Sequence, residues 1–138
     1  MTKLARFGVS LDKSLLNKFD ALLRDRGYTN RSEAFRDLIR QELILREWKE
    51  GGEVAGAVTI VYDHHAKELV HTITEIQHAH HVAIISTQHI HLDHDHCLEI
   101  IAVKGRPNAV RRLADQLRST KGIKHAALSM SSTGKNLT

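Results

Sequence analysis

The alternation of apolar and polar residues changes its period along the chain and divides the chain near residue 50. Residues 4–10 alternate with a period of two, which predicts a short strand with one apolar face. Two amphipathic helical patterns follow. The first is predicted to run from an N-cap at Asp12 to a C-terminal glycine at Gly27. The second opens at Asn30, which forms a predicted capping box with Glu33.

The remainder of the chain contains strand-like and helix-like segments in the order βαββαβ. The predicted elements are strand 54–62, helix 64–80, strands 82–92 and 97–103, a helix that begins at Pro107, and strand 122–130. This order is typical of a ferredoxin-like sandwich, so the predicted fold class is α+β. The glycine pair at 51–52 predicts a flexible joint, which gives one domain at 1–48, a linker at 49–53 and a second domain at 54–138.

The composition limits the class of protein. The chain has 138 residues, one cysteine and a formal net charge of +4. One cysteine excludes an internal disulfide framework, and no apolar run reaches the roughly 18 residues that span a bilayer. The amino terminus lacks the apolar segment of a signal peptide, so we expect a cytoplasmic protein with no membrane partner. The positive excess lies mostly in the first fifty residues, which permits DNA binding without establishing it.

Histidines are concentrated in one part of the sequence. Ten of the eleven fall at positions 64–96, and the densest stretch is 88–97. If the chain reverses between His91 and Cys97, these two residues pair across an antiparallel ladder. His89 then lies on the same face, because side chains two apart on a strand point to one side. Two imidazoles and a thiolate on one face are a set of metal ligands.

Each of these donors also has a simpler explanation. An isolated histidine is usually a surface residue, and a single buried cysteine is more often a small apolar residue than a ligand. We expect surface positions for most of the following histidines: His64, His65, His80, His81, His94, His96 and His125. Three ligands leave one coordination position, which water would fill in a catalytic zinc site and His78 of another chain would fill in a closed site. Tetrahedral zinc and square-planar Ni(II) or Cu(II) both remain open.

The two faces of the hairpin that holds these donors differ in polarity. The even-numbered positions are predicted to face the core: Val82, Ile84, Ile90, Leu92, Leu98 and Ile100. The odd-numbered face mixes apolar residues with the candidate ligands: Ala83, Ile85, His89, His91, Cys97, Glu99, Ile101 and Val103. Such a mixed face suits a subunit interface, so the candidate metal site is predicted to lie where two chains meet.

The first fifty residues cannot bury a sufficient core alone, and a lone strand leaves both of its edges unpaired. Pairing with the same strand of a second chain would meet both needs. Residues 4–10, the connection Gly27-Tyr28-Thr29-Asn30-Arg31-Ser32-Glu33-Ala34 and the second helix resemble the ribbon-helix-helix DNA-binding domain. The resemblance implies a ribbon in the major groove of two-fold double-stranded DNA, and a helix amino terminus against a phosphate. The implied DNA-binding residues are Arg6, Gly8, Ser10, Asn30 and Arg31.

Motifs of the second domain extend the resemblance to nearly the whole chain. Gln77-His78, His89-Ile90-His91 and His94-Asp95-His96-Cys97-Leu98-Glu99-Ile100 resemble the NikR-type nickel-responsive transcriptional regulators, in which an ACT-like domain follows a ribbon-helix-helix head. The resemblance implies a homotetramer that represses nickel-uptake genes and holds square-planar Ni(II). The implied nickel ligands are His89, His91 and Cys97 of one chain with His78 of another. Glu33 and Asp37 match the family's interdomain cation site, often for K+, which forms when the regulator is on DNA.

Three other functions would use some of the same residues. A metalloenzyme would place Glu99 as general base beside a metal held by two histidines and a cysteine, but it leaves the first domain unexplained. A metal-storage or carrier protein would use the surplus histidines. An amino-acid-sensing regulator would use the ACT-like interface, although histidine and cysteine at the ligand positions speak against it. The prediction is therefore a nickel-dependent DNA-binding repressor and not an enzyme.

Overall fold

The computed structural model describes residues 3–138. The chain divides into two compact units, Met1–Arg40 and Gln41–Thr138. The first unit contains α1 (Lys13–Asp25) and the beginning of α2 (Arg31–Glu50). The second contains the end of α2 and all of the strands. Within residues 3–138, no helix is both long enough and apolar enough to cross a membrane.

Local hydrogen bonds fix both ends of α1. Asp12 is the predicted N-cap, and its Oδ1 accepts a backbone N–H of the first turn at 2.8 Å. At the other end Gly27 has a φ of +76°. The Gly27 N–H donates to the Arg24 carbonyl and the Tyr28 N–H to the Leu23 carbonyl. These two bonds form a Schellman motif, whose left-handed residue is most readily a glycine.

The strand predicted at residues 4–10 is not formed in the single chain, where residues 3–12 have no regular secondary structure. A strand is held by hydrogen bonds to a neighbouring strand, and the described part of the first unit offers none. Apolar side chains in this segment are strongly exposed: Leu4 is 90% exposed and Phe7 is 74% exposed. The Phe7 ring meets the Phe35 ring edge-on, with 6.4 Å between the ring centroids. A segment this apolar requires a covering surface.

α2 begins with the Asn30 half of the predicted capping box. The Glu33 N–H donates to Asn30 Oδ1 at 3.0 Å, while the Glu33 carboxylate accepts the Thr29 hydroxyl at 3.1 Å. The helix continues to Glu50, so the predicted linker at 49–53 begins inside its last turn. The glycine pair that follows has φ values of +89° and +90°, which stops the helix there.

The carboxyl-terminal half of α2 contributes Trp48 to the core of the second unit. The Trp48 side chain is 1% exposed, and its Nε1 donates to the Ser131 carbonyl at 2.8 Å. The guanidinium carbon of Arg111 lies 5.6 Å from the centroid of the indole, within the range of a cation–π contact. A helix that begins in the first unit therefore ends as part of the second unit's core.

The second unit is a four-stranded antiparallel sheet of order β2-β3-β1-β4. Its elements are β1 (Val54–Asp63), α3 (Lys67–Ala79), a 3-10 turn (His81–Ala83), β2 (Ile84–His91), β3 (His96–Gly105), α4 (Pro107–Ser119) and β4 (Ile123–Met130). Pro107 occupies the first turn of α4, where its missing N–H has no helical partner to lose. The order βαββαβ and this strand arrangement confirm the predicted ferredoxin-like α+β fold.

The prediction that the even-numbered residues of β3 face the core is wrong. The buried residues of this strand are the odd-numbered ones: Cys97, Glu99, Ile101 and Val103. Cys97, Ile101 and Val103 form one core with β1 and with the apolar faces of α3 and α4, which supply Leu69, Ile73, Ile76, Val110, Leu113 and Leu117. The even-numbered Leu98 and Ile100 lie on the other face and are half-buried. Both faces of β3 carry large apolar residues, so polarity alone could not distinguish them.

The predicted core residues near the ends of β2 are also corrected. Val82 is 87% exposed because it lies in the 3-10 turn before the strand, and Leu92 is exposed because it lies in the turn after it. Ile84 and Ile90 are half-buried. The pairing of β2 with β3 shifts register between Ile84 and Ser86, and such a shift interrupts the simple alternation of faces on which the prediction relied.

Gly56 lies in β1 at a point where a side chain has no room. A Cβ there would stand 2.4 Å from the Ser129 carbonyl oxygen and 3.5 Å from Trp48 Cζ2. We expect Gly56→Ala to destabilise the second unit by about 1–3 kcal/mol, because the added methyl group forces the backbone of Ser129 to move. Denaturant unfolding followed by Trp48 fluorescence measures the change. Gly8→Ala, where a Cβ meets nothing within 4 Å, is the control, and equal stability of the two variants would contradict this packing.

Candidate metal centre

The reversal between β2 and β3 is organised by the carboxylate of Asp93. Asp93 Oδ1 accepts the backbone N–H groups of Asp95 and His96, each at 2.8 Å, and it lies 2.9 Å from His96 Nδ1. The His96 side-chain hydrogen bond, followed by the two backbone hydrogen bonds, lowers the pKa of Asp93 to about 2. This turn sets the ladder so that His91 pairs with Cys97 and His89 with Glu99, which confirms the predicted register.

His91 and Cys97 form the closest pair of candidate ligands. Cys97 Sγ lies 3.4 Å from His91 Nδ1, and the cysteine is fully buried whereas His91 is exposed at the sheet edge. Burial raises the pKa of the Cys97 thiol, and the negative charge of Glu99 raises it further. A thiol in this environment binds a metal only by giving up its proton.

His89 lies on the same face but is held apart from that pair. Its ring is parallel to that of His91, with an interplanar angle of 9° and 6.3 Å between centroids. Its Nε2 shares a hydrogen bond with the Tyr62 hydroxyl. Burial, followed by the charges of Glu99 and Cys97, raises the pKa of Tyr62, so the hydroxyl stays protonated. Coordination by His89 therefore requires this hydrogen bond to break or the ring to bind through its other nitrogen.

A buried carboxylate lies next to the donors. Glu99 is 6% exposed, and its Oε2 accepts a hydrogen bond from Gln77 Nε2 at 3.2 Å. Gln77 belongs to α3, so this bond connects the helix to the strand two residues from Cys97. The negative charge raises the pKa values of both Cys97 and Tyr62.

His64 is a donor that sequence reasoning expected at the surface. It is half-buried, and one of its ligand atoms lies within 4.8 Å of those of His91 and Cys97. The reason is the pairing of β1 with β3, which sets Tyr62 opposite Cys97. His64 lies in the turn directly after β1, where its backbone N–H donates to the Asp95 carbonyl at 3.1 Å, beside the β2–β3 reversal. That pairing joins strands distant in sequence, and the spacing of residues 88–97 carries no signal for it.

His78 is not brought to these donors within one chain. It is exposed near the end of α3 and lines a groove with Gln77, His81, Ile84, Ser86 and Thr87. In residues 3–138, three groups of side chains could hold a metal ion: His64 with His91 and Cys97, Asp63 with His64 and His65, and His65 with His94 and Asp95. His78 and His89 belong to none of them. A site that includes His78 with Cys97 therefore needs a second chain.

The candidate DNA-binding residues lie in the first unit. Arg6, Gly8 and Ser10 are exposed, within the segment that lacks secondary structure. Asn30 uses its side chain to cap α2. Arg31 forms a two-bond ion pair with Asp20, with Nε–Oδ1 and Nη2–Oδ2 distances of 3.0 Å each. A phosphate would therefore have to compete with the Asp20 carboxylate for Arg31.

The two residues of the candidate second cation site are close together on the first turns of α2. Glu33 and Asp37 line a groove with Tyr28, Arg36 and Arg40. Asp37 Oδ2 accepts the Tyr28 hydroxyl at 2.7 Å, and this hydrogen bond raises the pKa of Tyr28. Carboxylate and hydroxyl oxygens are ligands that hard cations accept.

Two family models match the chain. Residues 55–131 match the NikR C-terminal nickel-binding domain, and residues 5–46 match the ribbon-helix-helix proteins of the copG family. Over nearly its full length the chain is similar to proteins named nickel-responsive regulators. One from Syntrophus aciditrophicus is 57% identical over 135 residues, which is 98% of each chain. One from Chlorobium phaeobacteroides is 56% identical over 132 residues, 96% of this chain and 98% of the relative. One from Solibacter usitatus is 54% identical over 138 residues, 99% of each.

The raised pKa of Cys97 makes metal binding depend on pH. The thiol is protonated near neutrality, so a Ni(II) ion that takes Cys97 as a ligand must displace that proton. We expect nickel affinity to rise by about tenfold per pH unit for each displaced proton between about pH 7 and 8.5. Competition titrations at several pH values measure this dependence.

Glu99→Gln tests the effect of the Glu99 charge on Cys97, because the substitution removes the charge and keeps the shape of the side chain that Gln77 contacts. We expect it to lower the pKa of Cys97, which the ultraviolet absorbance of the thiolate reports. An unchanged thiol pKa in this variant would show that Glu99 does not act on Cys97 through its charge.

Proposed function

Because the chain belongs to the NikR family of nickel-responsive regulators, we propose that it is a nickel-dependent, sequence-specific DNA-binding repressor in the cytoplasm. The family is one of regulators, and the chain is not an enzyme. The observation that carries the proposal is the adjacent pair of His91 Nδ1 and Cys97 Sγ, 3.4 Å apart, with the exposed His91 on the edge strand β2 and the buried Cys97 on its neighbour β3. The genes that it would repress are those for nickel uptake.

The proposed nickel ligands are His89, His91 and Cys97 of one chain and His78 of another. Three imidazoles and a thiolate suit square-planar Ni(II). His91 and His89 are exposed on an edge strand, where a second chain can approach. His78 lines a separate groove of the same chain, so the fourth ligand is supplied between subunits. Nickel would thus link neighbouring chains within a homotetramer that forms without it as a dimer of dimers.

The proposed DNA-binding surface forms when two chains pair. The segment around residues 4–10 exposes Leu4, Phe7 and Val9, and pairing with its copy would cover them and supply the missing strand hydrogen bonds. The resulting ribbon would turn Arg6 and Ser10 to base edges in the major groove, with the Gly8 backbone between them. The amino terminus of α2, at Asn30 and Arg31, would hold a phosphate.

Nickel can favour DNA binding only through a difference in its affinity for two arrangements of the protein. A metal bound by two chains stabilises the tetramer arrangements in which those chains approach correctly. If the operator binds the same arrangements, nickel and DNA each raise the affinity for the other. Two dimeric heads would then read the two halves of a two-fold operator.

We propose that Glu33 and Asp37 provide a second cation site, for K+, that supports the DNA-bound state. The two carboxylates are one helical turn apart and line one groove. A cation between them would offset their mutual repulsion near the DNA phosphates. This role is separate from nickel binding, because neither residue is near Cys97 in sequence or belongs to the second unit.

Two kinds of substitution should separate sensing from DNA binding. We expect His89→Ala or Cys97→Ala to abolish tight nickel binding and nickel-dependent DNA binding, while the tetramer persists. We expect Arg6→Ala to weaken DNA binding by about 1–3 kcal/mol without changing nickel affinity. Gel-shift titrations with and without nickel, on DNA enriched from random sequence by the nickel-loaded protein, measure both effects. Arg118→Ala, which removes an equal charge from α4, is the control.

Nickel-dependent DNA retention in Cys97→Ala would overturn the ligand assignment. A loss of nickel affinity in Arg6→Ala equal to its loss of DNA affinity would show that the two functions are not separable. A storage or carrier protein predicts no nickel-dependent, sequence-specific shift in the wild type, so the same titration excludes or supports that alternative.

The second cation site predicts a specific effect of K+. We expect the nickel-loaded wild type to bind DNA more tightly in potassium chloride than in choline chloride of equal ionic strength, and Asp37→Asn to lose that difference. Fluorescence anisotropy of labelled DNA measures it, with Asp115→Asn in α4 as the control. Retention of the K+ effect in both Asp37→Asn and Glu33→Gln would reject the site.

A further inference from the structure

The end of α3 has no left-handed residue to close it, in contrast to the end of α1 at Gly27. The helix ends at Ala79, and the core holds it as far as Ile76, which is 6% exposed. His78 lies beyond that point and is exposed. Because the last carbonyl groups of a helix need partners from outside the helix, the position of His78 depends on what binds this turn.

Two imidazoles hold the turn in place. His81 Nδ1 donates to the His78 carbonyl at 3.0 Å, so this nitrogen carries the ring proton. The His80 ring is directed to α4, where its Nε2 donates to Gln116 Oε1 at 2.8 Å. The backbone N–H of His80 donates to the Ile76 carbonyl at 3.1 Å, and its carbonyl accepts the Ala83 N–H at 3.0 Å. His80 is therefore the residue through which the turn is attached to another helix.

The core gives α4 a fixed position, so Gln116 is a firm support for the turn. Leu113 and Leu117 lie on the inner face of α4 and are fully buried. One hydrogen bond contributes little to the stability of a whole domain. It matters more at a metal ligand, because a small displacement of the ligand decides whether the donor atom reaches the ion. This requirement is strictest for a ligand that must reach a metal held by a neighbouring chain.

We propose that Gln116 is a positioning residue for His78: through His80 it fixes the last turn of α3, so that each chain presents the His78 ring to the metal of its neighbour. This inference rests on the proposed function, which makes His78 the fourth nickel ligand. Gln116 is not a ligand itself, so its effect on nickel passes through His78. Without Gln116 the turn frays more readily, and nickel binding must then order it, which lowers the affinity.

Gln116→Ala in the full-length protein tests this role. We expect nickel affinity to fall by about two- to tenfold, because the turn loses one hydrogen bond and Gln116 is one step further from the metal than a direct partner of a ligand ring. Gln116→Glu keeps an acceptor for His80 and should retain wild-type affinity. Competition titrations with nickel measure both variants. Asp115→Ala is the control, because it removes the neighbouring exposed side chain of α4, which pairs with Arg118.

The His78→Ala background separates positioning from a general loss of structure. With no ring left to position, adding Gln116→Ala should leave the weaker nickel affinity of His78→Ala unchanged. A metal-free measurement tests the same contact: amide hydrogen exchange over residues 78–83 should be about two- to tenfold faster in nickel-free Gln116→Ala than in the wild type. Alanine favours a helix more than glutamine does, so α4 should keep its fold, which circular dichroism checks.

Three results would overturn the proposal: unchanged nickel affinity in Gln116→Ala, an equal further loss in the His78→Ala background, or unchanged exchange over residues 78–83. The test also separates from that of the proposed function. If nickel affinity depends on Gln116 only while His78 is present, but nickel induces no DNA binding, the regulator proposal fails and the positioning role remains. If nickel induces DNA binding and Gln116→Ala binds nickel like the wild type, the regulator remains and the positioning role is rejected.

Discussion

The pairing of β1 with β3 is the constraint on which the second unit depends. It sets Tyr62 opposite Cys97 and, five residue pairs along, Ala57 opposite Ala102. Toward the middle of the sheet the same pairing buries Ile101 against the helices, and at its end it gathers the metal donors. The hydrophobic core and the cluster of metal donors therefore both depend on the same register between β1 and β3. A slip of one residue would turn Cys97 to the open face and expose half of the core.

The features that short-range chemistry decides were predictable from the sequence. The turn at Asp93 and the resulting pairing of His91 with Cys97 depend on residues six positions apart or fewer. The caps at Asp12 and Gly27 and the start of α4 at Pro107 depend on one helical turn each. The order of strands and helices followed from these signals, because the period of the apolar pattern changes at each of them.

The features that could not be read from local sequence depend on distant strands or on a second chain. The covered face of β3 could not be identified because Leu98 and Ile100 are as apolar as Ile101 and Val103. The position of His64 follows from a pairing that crosses α3, and no local pattern encodes it. The segment 4–10 lacks strand hydrogen bonds in one chain, since an isolated strand has nothing to bond. The sequence therefore predicted most of the candidate metal donors, but it did not predict that His64 lies beside His91 and Cys97.

The position of α2 limits where the chain can be cut into separate domains. Because Trp48 fills the second unit's core beside Gly56, the glycine pair that follows the helix is not a boundary between interchangeable modules. A fragment that begins there would lose an aromatic side chain from its interior. A chimera that exchanges DNA-binding heads between regulators of this family, whether made by recombination or by engineering, would keep an intact metal-binding core if its junction lies before Gln41. Specificity for DNA could then evolve without loss of the sensor.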